Sequence, residues 1–197
     1  MKRLGLARLW LLLLVALGVG LAGCQRAEPT SDVEPAAVVD PTLLAFLSRA
    51  RAAHHVADIA EEQALPDKAI DALRGLVSGP LPGGSPPAAP EVREVLADTH
   101  ARLADLESRR GLFEQAERDL ASGLALAEET TYFRGHLFEV RGLVEERRGK
   151  ALEAAGKPDE ASAAKQRALE AFEQSMDIQA EVIRKAVQPG SPEGGER

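Results

Sequence analysis

The sequence predicts an all-α protein made of stacked antiparallel helical hairpins, about three in number. Ala, Leu and Glu dominate the 197-residue chain, in which aromatic residues make up only 4%. The common residue types cost little in a helical backbone. From Asp40 onward, apolar residues recur every three or four positions, which is the period of an amphipathic helix. Segments rich in glycine and proline interrupt this period and indicate where one helix ends and the next begins.

Residues 1–23 are predicted to be a signal peptide and not part of the fold. Lys2, Arg3 and Arg8 make the start of the chain positive, and residues 9–20 are an apolar stretch. This stretch is shorter than the roughly 20 apolar residues that span a bilayer. A charged start, a short apolar middle and small residues at the end are typical of a secretory signal.

The end of this segment, Leu21-Ala22-Gly23-Cys24, resembles the lipobox of bacterial lipoproteins. The resemblance implies that the Cys24 thiol receives a diacylglycerol, that the chain is cut before Cys24, and that the new amino group is acylated. Several acyl chains together give stable membrane attachment. Gln25 stands where an aspartate would favour the inner membrane, so the resemblance implies the periplasmic face of the outer membrane. The alternative is a plain signal peptide followed by a chance cysteine.

The remaining chain divides into a tether, a helical domain and a tail. Residues 24–40 are predicted to be the lipidated cysteine and a flexible tether, because they show no helical or strand period. Residues 41–187 form the helical repeat domain, and residues 188–197 form a disordered tail. The net charge of −7 makes a nucleic-acid partner unfavourable, since an acidic chain repels phosphate.

Six helices are predicted within the domain. They run from Pro41 to about Gln63, from Pro66 to about Val77, from about Glu91 to Gly111, from Phe113 to about Leu124, from Thr130 or Thr131 to Gly156, and from Pro158 to Val187. Residues 79–90 are rich in proline and glycine and are predicted to be a loop. The sixth helix is expected to pack through one apolar face, made of Ala161, Ala164, Ala168, Phe172, Met176 and Ile183.

Three predicted turns share a signature. Segments 64–69, 111–116 and 156–161 align without gaps. Each has a small residue, a proline or an aromatic residue two positions later, and an alanine after three more. The positions are Ala64, Pro66 and Ala69, then Gly111, Phe113 and Ala116, then Gly156, Pro158 and Ala161. The small residue permits a tight turn, and the alanine permits two helices to approach closely.

These segments resemble tetratricopeptide repeats, and the middle one fits best through His100, Leu103, Ala104, Ala116 and Leu120. The resemblance implies stacked helical hairpins that bind another protein. The signature alanines are separated by 47 and 45 residues, compared with about 34 in a standard unit. The alternative is a helical bundle without repeat ancestry.

No catalytic motif is found, and no cofactor or metal site is predicted. His54 and His55 are adjacent on a helix and point about 100° apart, so they cannot easily share an ion. His55 or His136 could hold a metal weakly with the carboxylate three residues later. Packing or surface exposure is the ordinary interpretation of these residues and of His100.

Residues 145–148 (Glu-Glu-Arg-Arg) are expected to form a solvated helix face, or alternatively to line a groove. Tyr132 and Phe138 are the candidate groove-lining aromatic residues, because Phe138 lies off the main apolar stripe. The predicted function is a non-catalytic, membrane-anchored scaffold that binds an unidentified protein or peptide of the bacterial cell envelope. Two alternatives stay open: a metal-dependent helical-bundle enzyme or sensor, and a self-associating structural spacer that forms a homo-oligomer.

Overall fold

A computed structural model describes residues 40–85, 87 and 89–187. These residues form six helices and contain no strand: α1 (Pro41–Glu62), α2 (Pro66–Val77), α3 (Pro90–Arg109), α4 (Phe113–Leu126), α5 (Tyr132–Ala154) and α6 (Pro158–Val187). The prediction of an all-α fold of antiparallel hairpins is confirmed. The predicted signal peptide, Cys24, nearly all of the tether and the tail lie outside the described residues.

The helices pair in chain order and stack as three hairpins. The pairs are α1 with α2, α3 with α4, and α5 with α6. The first helices of the hairpins, α1, α3 and α5, pack side by side in one layer. The second helices α2 and α4 each pack against the first helix of the following hairpin. In the described part of the chain, the second helices of neighbouring hairpins stand apart, so a gap separates α2 from α4 and another separates α4 from α6.

The helix starts follow from local capping chemistry. Pro41, Pro66, Pro90 and Pro158 are the first residues of their helices, where a missing N–H and a fixed φ cost nothing. The Asp40 carboxylate accepts a hydrogen bond from the Thr42 backbone N–H at 2.8 Å. The Thr131 hydroxyl accepts a bond from the Arg134 N–H at 3.4 Å, so Thr131 and not Thr130 caps α5.

The three signature turns have the same backbone geometry. Ala64, Gly111 and Gly156 all adopt a left-handed conformation, with φ of 55°, 76° and 72°. Each donates its N–H to the carbonyl three residues earlier, at 2.9 to 3.0 Å. The following residue donates to the carbonyl five residues earlier, at 2.8 to 3.0 Å. This pair of hydrogen bonds is the Schellman motif. Glycine adopts its left-handed conformation freely, whereas alanine adopts it with strain.

The alanines that end the signature lie in the hairpin interiors. Ala69, Ala116 and Ala161 are at most 1% exposed. Alanine is common throughout the core: among the residues that the structure describes, 13 of the 25 buried apolar ones are alanines. Small side chains let helix backbones approach closely, but each buries less apolar surface than leucine would.

The helices α5 and α6 approach each other closely. Gly135, Gly142 and Gly149 occur every seven residues on α5, and a Cβ at Gly142 would lie 2.6 Å from the Phe172 ring. The glycines leave room for larger α6 side chains such as Phe172, while the buried residues of α6 are small: Ala161, Ala164, Ala168, Ala171 and Ser175.

This small-residue face corrects one expectation. Met176 and Ile183 were expected on the packed face of the sixth helix, but they are 63% and 64% exposed. The side of α6 that contacts α5 is instead formed by its buried alanines and Ser175, with Phe172 against Gly142. Met176 and Ile183 project from another side of the helix.

We expect Gly142→Ala to destabilise the protein by about 1–3 kcal/mol, because the new methyl group overpacks the α5–α6 contact against Phe172. The matched control is Gly75→Ala on α2, where a Cβ would meet no atom within 4 Å. That substitution should stabilise the helix by up to about 1 kcal/mol. Urea unfolding followed by circular dichroism measures both, and equal effects of the two substitutions would contradict the close packing.

Candidate functional site

The gap between α2 and α4 is filled by a buried ion cluster over α3. Arg74 of α2 donates to both carboxylate oxygens of Asp119 on α4, at 2.9 and 2.6 Å. It also donates to Glu107 of α3. His100 of α3 places its Nδ1 2.8 Å from Asp119 Oδ1, the oxygen that also accepts from Arg74 Nη1. Four side chains therefore join the first two hairpins where the backbones of their second helices stand apart.

The two carboxyl groups of this cluster have opposite pKa shifts. Burial and the nearby Asp119 carboxylate raise the pKa of Glu107 to about 7. Burial would also raise the pKa of Asp119, but hydrogen bonds from His100 and Arg74 lower it below its ordinary value. The asymmetry follows from the donors: Asp119 receives three hydrogen bonds, whereas Glu107 Oε2 is buried without a partner. Glu107 therefore keeps its proton to a higher pH than Asp119 does.

A second set of ion pairs joins the first helices. Arg102 of α3 lies 2.6 Å from Asp58 of α1, and Arg147 of α5 lies 2.8 Å from Asp105 of α3. The aspartates are six residues before their turn residues Ala64 and Gly111, and the arginines are nine residues before Gly111 and Gly156. The same arginine–aspartate clasp thus recurs at equivalent positions in both contacts between hairpins.

The gap between α4 and α6 differs from the first gap because it stays open. It forms a cleft with two adjoining hollows of about 460 and 280 Å³, which both contact Arg167. The helix α5 forms the floor. Apolar and charged side chains from three helices line the cleft: Phe113, Glu114, Glu117 and Leu120 of α4, Arg141, Val144, Glu145, Arg148, Ala151 and Leu152 of α5, and Glu160, Ala163 and Arg167 of α6.

Two arginines anchor the charges of this cleft. Arg148 of α5 lies 2.8 Å from Glu117 of α4, and its guanidinium group is 5.5 Å from the centre of the Phe113 ring. Arg167 of α6 donates to Glu145 of α5 through Nε and Nη2, at 3.0 and 2.8 Å. The cleft therefore combines charges of both signs with apolar side chains.

A further hollow, of about 550 Å³, lies at the opposite end of α4. Its walls are the start of α3, the end of α4 and the start of α5, and they include Arg93, Leu126 and Phe133. We favour the α4–α6 cleft as the candidate site, because it combines open space with arginines that are paired to carboxylates of neighbouring helices.

The structure separates the two aromatic residues predicted to line a groove. Tyr132 is 55% exposed at the start of α5, where its ring stacks on His136. Phe138 is buried, and the guanidinium groups of Arg134 and Arg141 lie over its ring at 5.5 and 5.3 Å. The expectation that Phe138 lines an open groove is therefore wrong, because these two long side chains cover it. Neither residue lines the α4–α6 cleft.

The charge run at 145–148 is not the solvated face that the sequence suggested. Glu145 is buried against Arg167, Arg147 reaches α3, and Arg148 reaches α4. Only Glu146 makes a surface pair, with Lys150. Sequence reasoning also missed the cluster around Glu107. A charge beside Leu106 and Leu103, on the packed side of α3, was the signal that could have indicated it.

The four histidines lie apart. His54 Nε2 is 3.1 Å from the Thr99 hydroxyl, and His100 belongs to the ion cluster. His55 and His136 each lie beside a carboxylate three residues later, at 3.7 and 3.3 Å. Within the described ranges, no group of three or more His, Cys, Asp or Glu side chains converges on a possible metal position.

The predicted lipidation motif, Leu21 to Cys24, lies outside the described residues. Among the helices α1 to α6, none is long and apolar enough to cross a membrane. Comparison with protein-family models, with curated proteins and with solved structures finds no match for this chain.

We expect the protonation of Glu107 to make stability depend on pH. Its folded-state pKa of about 7 exceeds the ordinary value of 4.5, so the folded chain binds the extra proton. This contribution is complete below about pH 4.5 and declines as the pH rises to about 7. Glu107→Gln should remove a decline of about 1–3 kcal/mol in the free energy of unfolding.

Urea unfolding at pH values from 5 to 8 measures this difference between wild type and variant. The matched control is Glu62→Gln, which changes an exposed glutamate near the end of α1 and should leave the wild-type slope intact. Parallel pH profiles for wild type and Glu107→Gln would rule out the proton on Glu107.

Proposed function

We propose that this protein is a non-catalytic, protein-binding scaffold anchored to a membrane of the bacterial cell envelope. Cys24 would carry the lipid, and residues 25–40 would hold the helical domain away from the bilayer. The support for the anchor is the Leu21-Ala22-Gly23-Cys24 motif together with the absence of any other cysteine in the sequence. Gln25 after the cysteine favours the periplasmic face of the outer membrane.

The observation that carries the binding role is the open cleft between α4 and α6. The hairpin stack has two equivalent gaps between its second helices, and the Arg74 cluster fills the first. The second is bordered by Arg148 and Arg167 but keeps hollows of about 460 and 280 Å³. The fold fills the first gap with its own side chains but leaves the second open, so the second gap is available to a partner.

The chemistry of the cleft favours a peptide segment or a helix over a small anion. Arg148 and Arg167 are already paired with Glu117 and Glu145, so a free anion that binds them would have to displace carboxylates. A protein segment can exchange ion pairs with these residues and also bury apolar side chains on Leu152 and Ala151. Stacked helical hairpins present such extended surfaces in tetratricopeptide-type repeats, which the turn signature resembles.

The anchor is tested by Cys24→Ser. We expect the wild-type mature chain to be heavier than its cleaved polypeptide by the mass of its acyl chains, and to fractionate with membranes. The variant should lose both the added mass and the cut before residue 24. Mass spectrometry and membrane fractionation in an expressing bacterium give the result, and an unchanged mature mass would refute lipidation.

The cleft is tested by photo-crosslinking in intact envelopes. A photoreactive residue at Ala163, an exposed alanine that lines the cleft, should give a reproducible crosslinked protein. The matched control is Ala121, an exposed alanine of α4 outside the cleft, which should not. Arg148→Glu should abolish the product from Ala163 by reversing the charge. Products that are the same at both positions, or none at Ala163, would exclude the cleft as the binding site.

A further inference from the structure

The helix α6 carries an apolar stripe on its exposed side. Leu169, Met176 and Ile183 are 58%, 63% and 64% exposed and follow one another at seven-residue intervals. Seven residues make about two helical turns, so the three side chains lie along one line. We call these three residues the α6 stripe.

Leu169, the first residue of the stripe, occupies a position whose equivalents in the first two hairpins are packed against the next hairpin. Leu169 is 13 residues after the turn residue Gly156, and Leu124 and Val77 are 13 residues after Gly111 and Ala64. Leu124 packs against the core cluster that includes residues of α5, and Val77 against the clusters that include residues of α3. No hairpin follows α6 among the described residues, so the equivalent surface of the third hairpin lacks its cover.

Two ways of covering this surface with a second copy follow from the fold. One is a head-to-tail stack, in which α1 of the second copy lies where α3 lies on the first hairpin. Ile59 is exposed on α1 and would be available for such a contact. The other is a face-to-face contact between two α6 helices.

The clasp argues against the head-to-tail stack. In both internal contacts an arginine nine residues before the turn meets an aspartate six residues before the preceding turn. At the free ends these positions hold His55 on α1 and Lys150 on α5. A head-to-tail stack would therefore set His55 of one copy beside Lys150 of the other, without the ion pair that the chain uses twice.

The charges beside the stripe favour an antiparallel contact. Glu170 follows Leu169 and Arg184 follows Ile183, so both lie on the same flank of the stripe. An antiparallel arrangement centred on Met176 places Leu169 against Ile183 of the second copy, and Glu170 near Arg184 of the second copy. A parallel two-fold arrangement would place the Glu170 and Arg184 side chains of the two copies on opposite flanks, so this charge pair could not form.

We propose that two copies of this chain associate through their α6 stripes, antiparallel about a two-fold axis at Met176. The contact is isologous, and such contacts close into a dimer. Asp177, next to Met176, lies beside the axis in both copies, where its charge opposes association. This inference does not depend on lipidation or on the α4–α6 cleft.

Disulfide trapping tests the geometry in the full chain with Cys24→Ser, which leaves each introduced cysteine as the only thiol. In a mild non-ionic detergent under oxidising conditions, Met176→Cys should link to itself, because the axis brings the two positions together. Leu169→Cys and Ile183→Cys should each link poorly alone and efficiently when mixed. The matched control is Ile59→Cys, equally exposed at the other end of the stack, which should stay monomeric.

The alternatives give different products and would overturn the proposal. Linking of Ile59→Cys to Leu169→Cys would indicate the head-to-tail stack. Efficient self-linking of Leu169→Cys and Ile183→Cys would indicate a parallel pair. No linking at Met176 above the Ile59 control would mean that no such contact exists.

Sedimentation velocity adds an independent measurement without cysteines. Met176→Asp should raise the dissociation constant by about tenfold or more, because it places a charge at the centre of the contact. Leu44→Asp changes an exposed leucine of α1 and should leave the dissociation constant unchanged. Asp177→Asn should lower it, and circular dichroism verifies that each variant is folded. A dissociation constant that neither Met176→Asp nor Asp177→Asn changes would overturn the proposal.

Discussion

The close approach of helices through small side chains is the constraint on which the rest of the structure depends. Glycine or alanine occupies each signature turn and the first buried position of each hairpin's second helix, and three glycines of α5 face α6, which buries a row of alanines. Such contacts bring backbones together but bury little apolar area per residue. On another side, α6 exposes the larger side chains Leu169, Met176 and Ile183.

Arginine–carboxylate pairs between hairpins follow from the same constraint. Since the second helices of neighbouring hairpins stand apart, long side chains are needed to cross the gaps, and arginine is the longest that can bind two carboxylates at once. Arg74 crosses the first gap and binds both Glu107 and Asp119. At the second gap, Arg148 of α5 pairs with α4 and Arg167 of α6 pairs with α5. The space left between α4 and α6 is the candidate binding cleft. Burying such groups favours one register of stacking over its alternatives, since a shifted hairpin would leave a charge unpaired.

The two surfaces proposed for interaction have different origins. The α4–α6 cleft arises within the stack, where three helices contribute charged and apolar side chains to one space. The α6 stripe arises at the end of the stack, where the pattern of hairpin-on-hairpin packing stops. Because the two surfaces involve different faces of α6, occupation of the stripe leaves Ala163 and Arg167 in the cleft accessible.

The sequence by itself determined the helices, their starts and their turns. These features depend on neighbours within a few residues: Pro41 and Asp40 begin α1 locally, and Gly111 or Gly156 ends a helix through its own backbone freedom. Tertiary structure alone decided which charges are buried and which apolar residues are exposed. Helical period cannot distinguish Glu107 from a solvated glutamate or Met176 from a core residue, because burial depends on the distance to a helix that is remote in sequence. For α6 that helix is α5, whose glycines allow α6 to lie close to it. Which side of α6 is buried is therefore decided by the packing of the two helices.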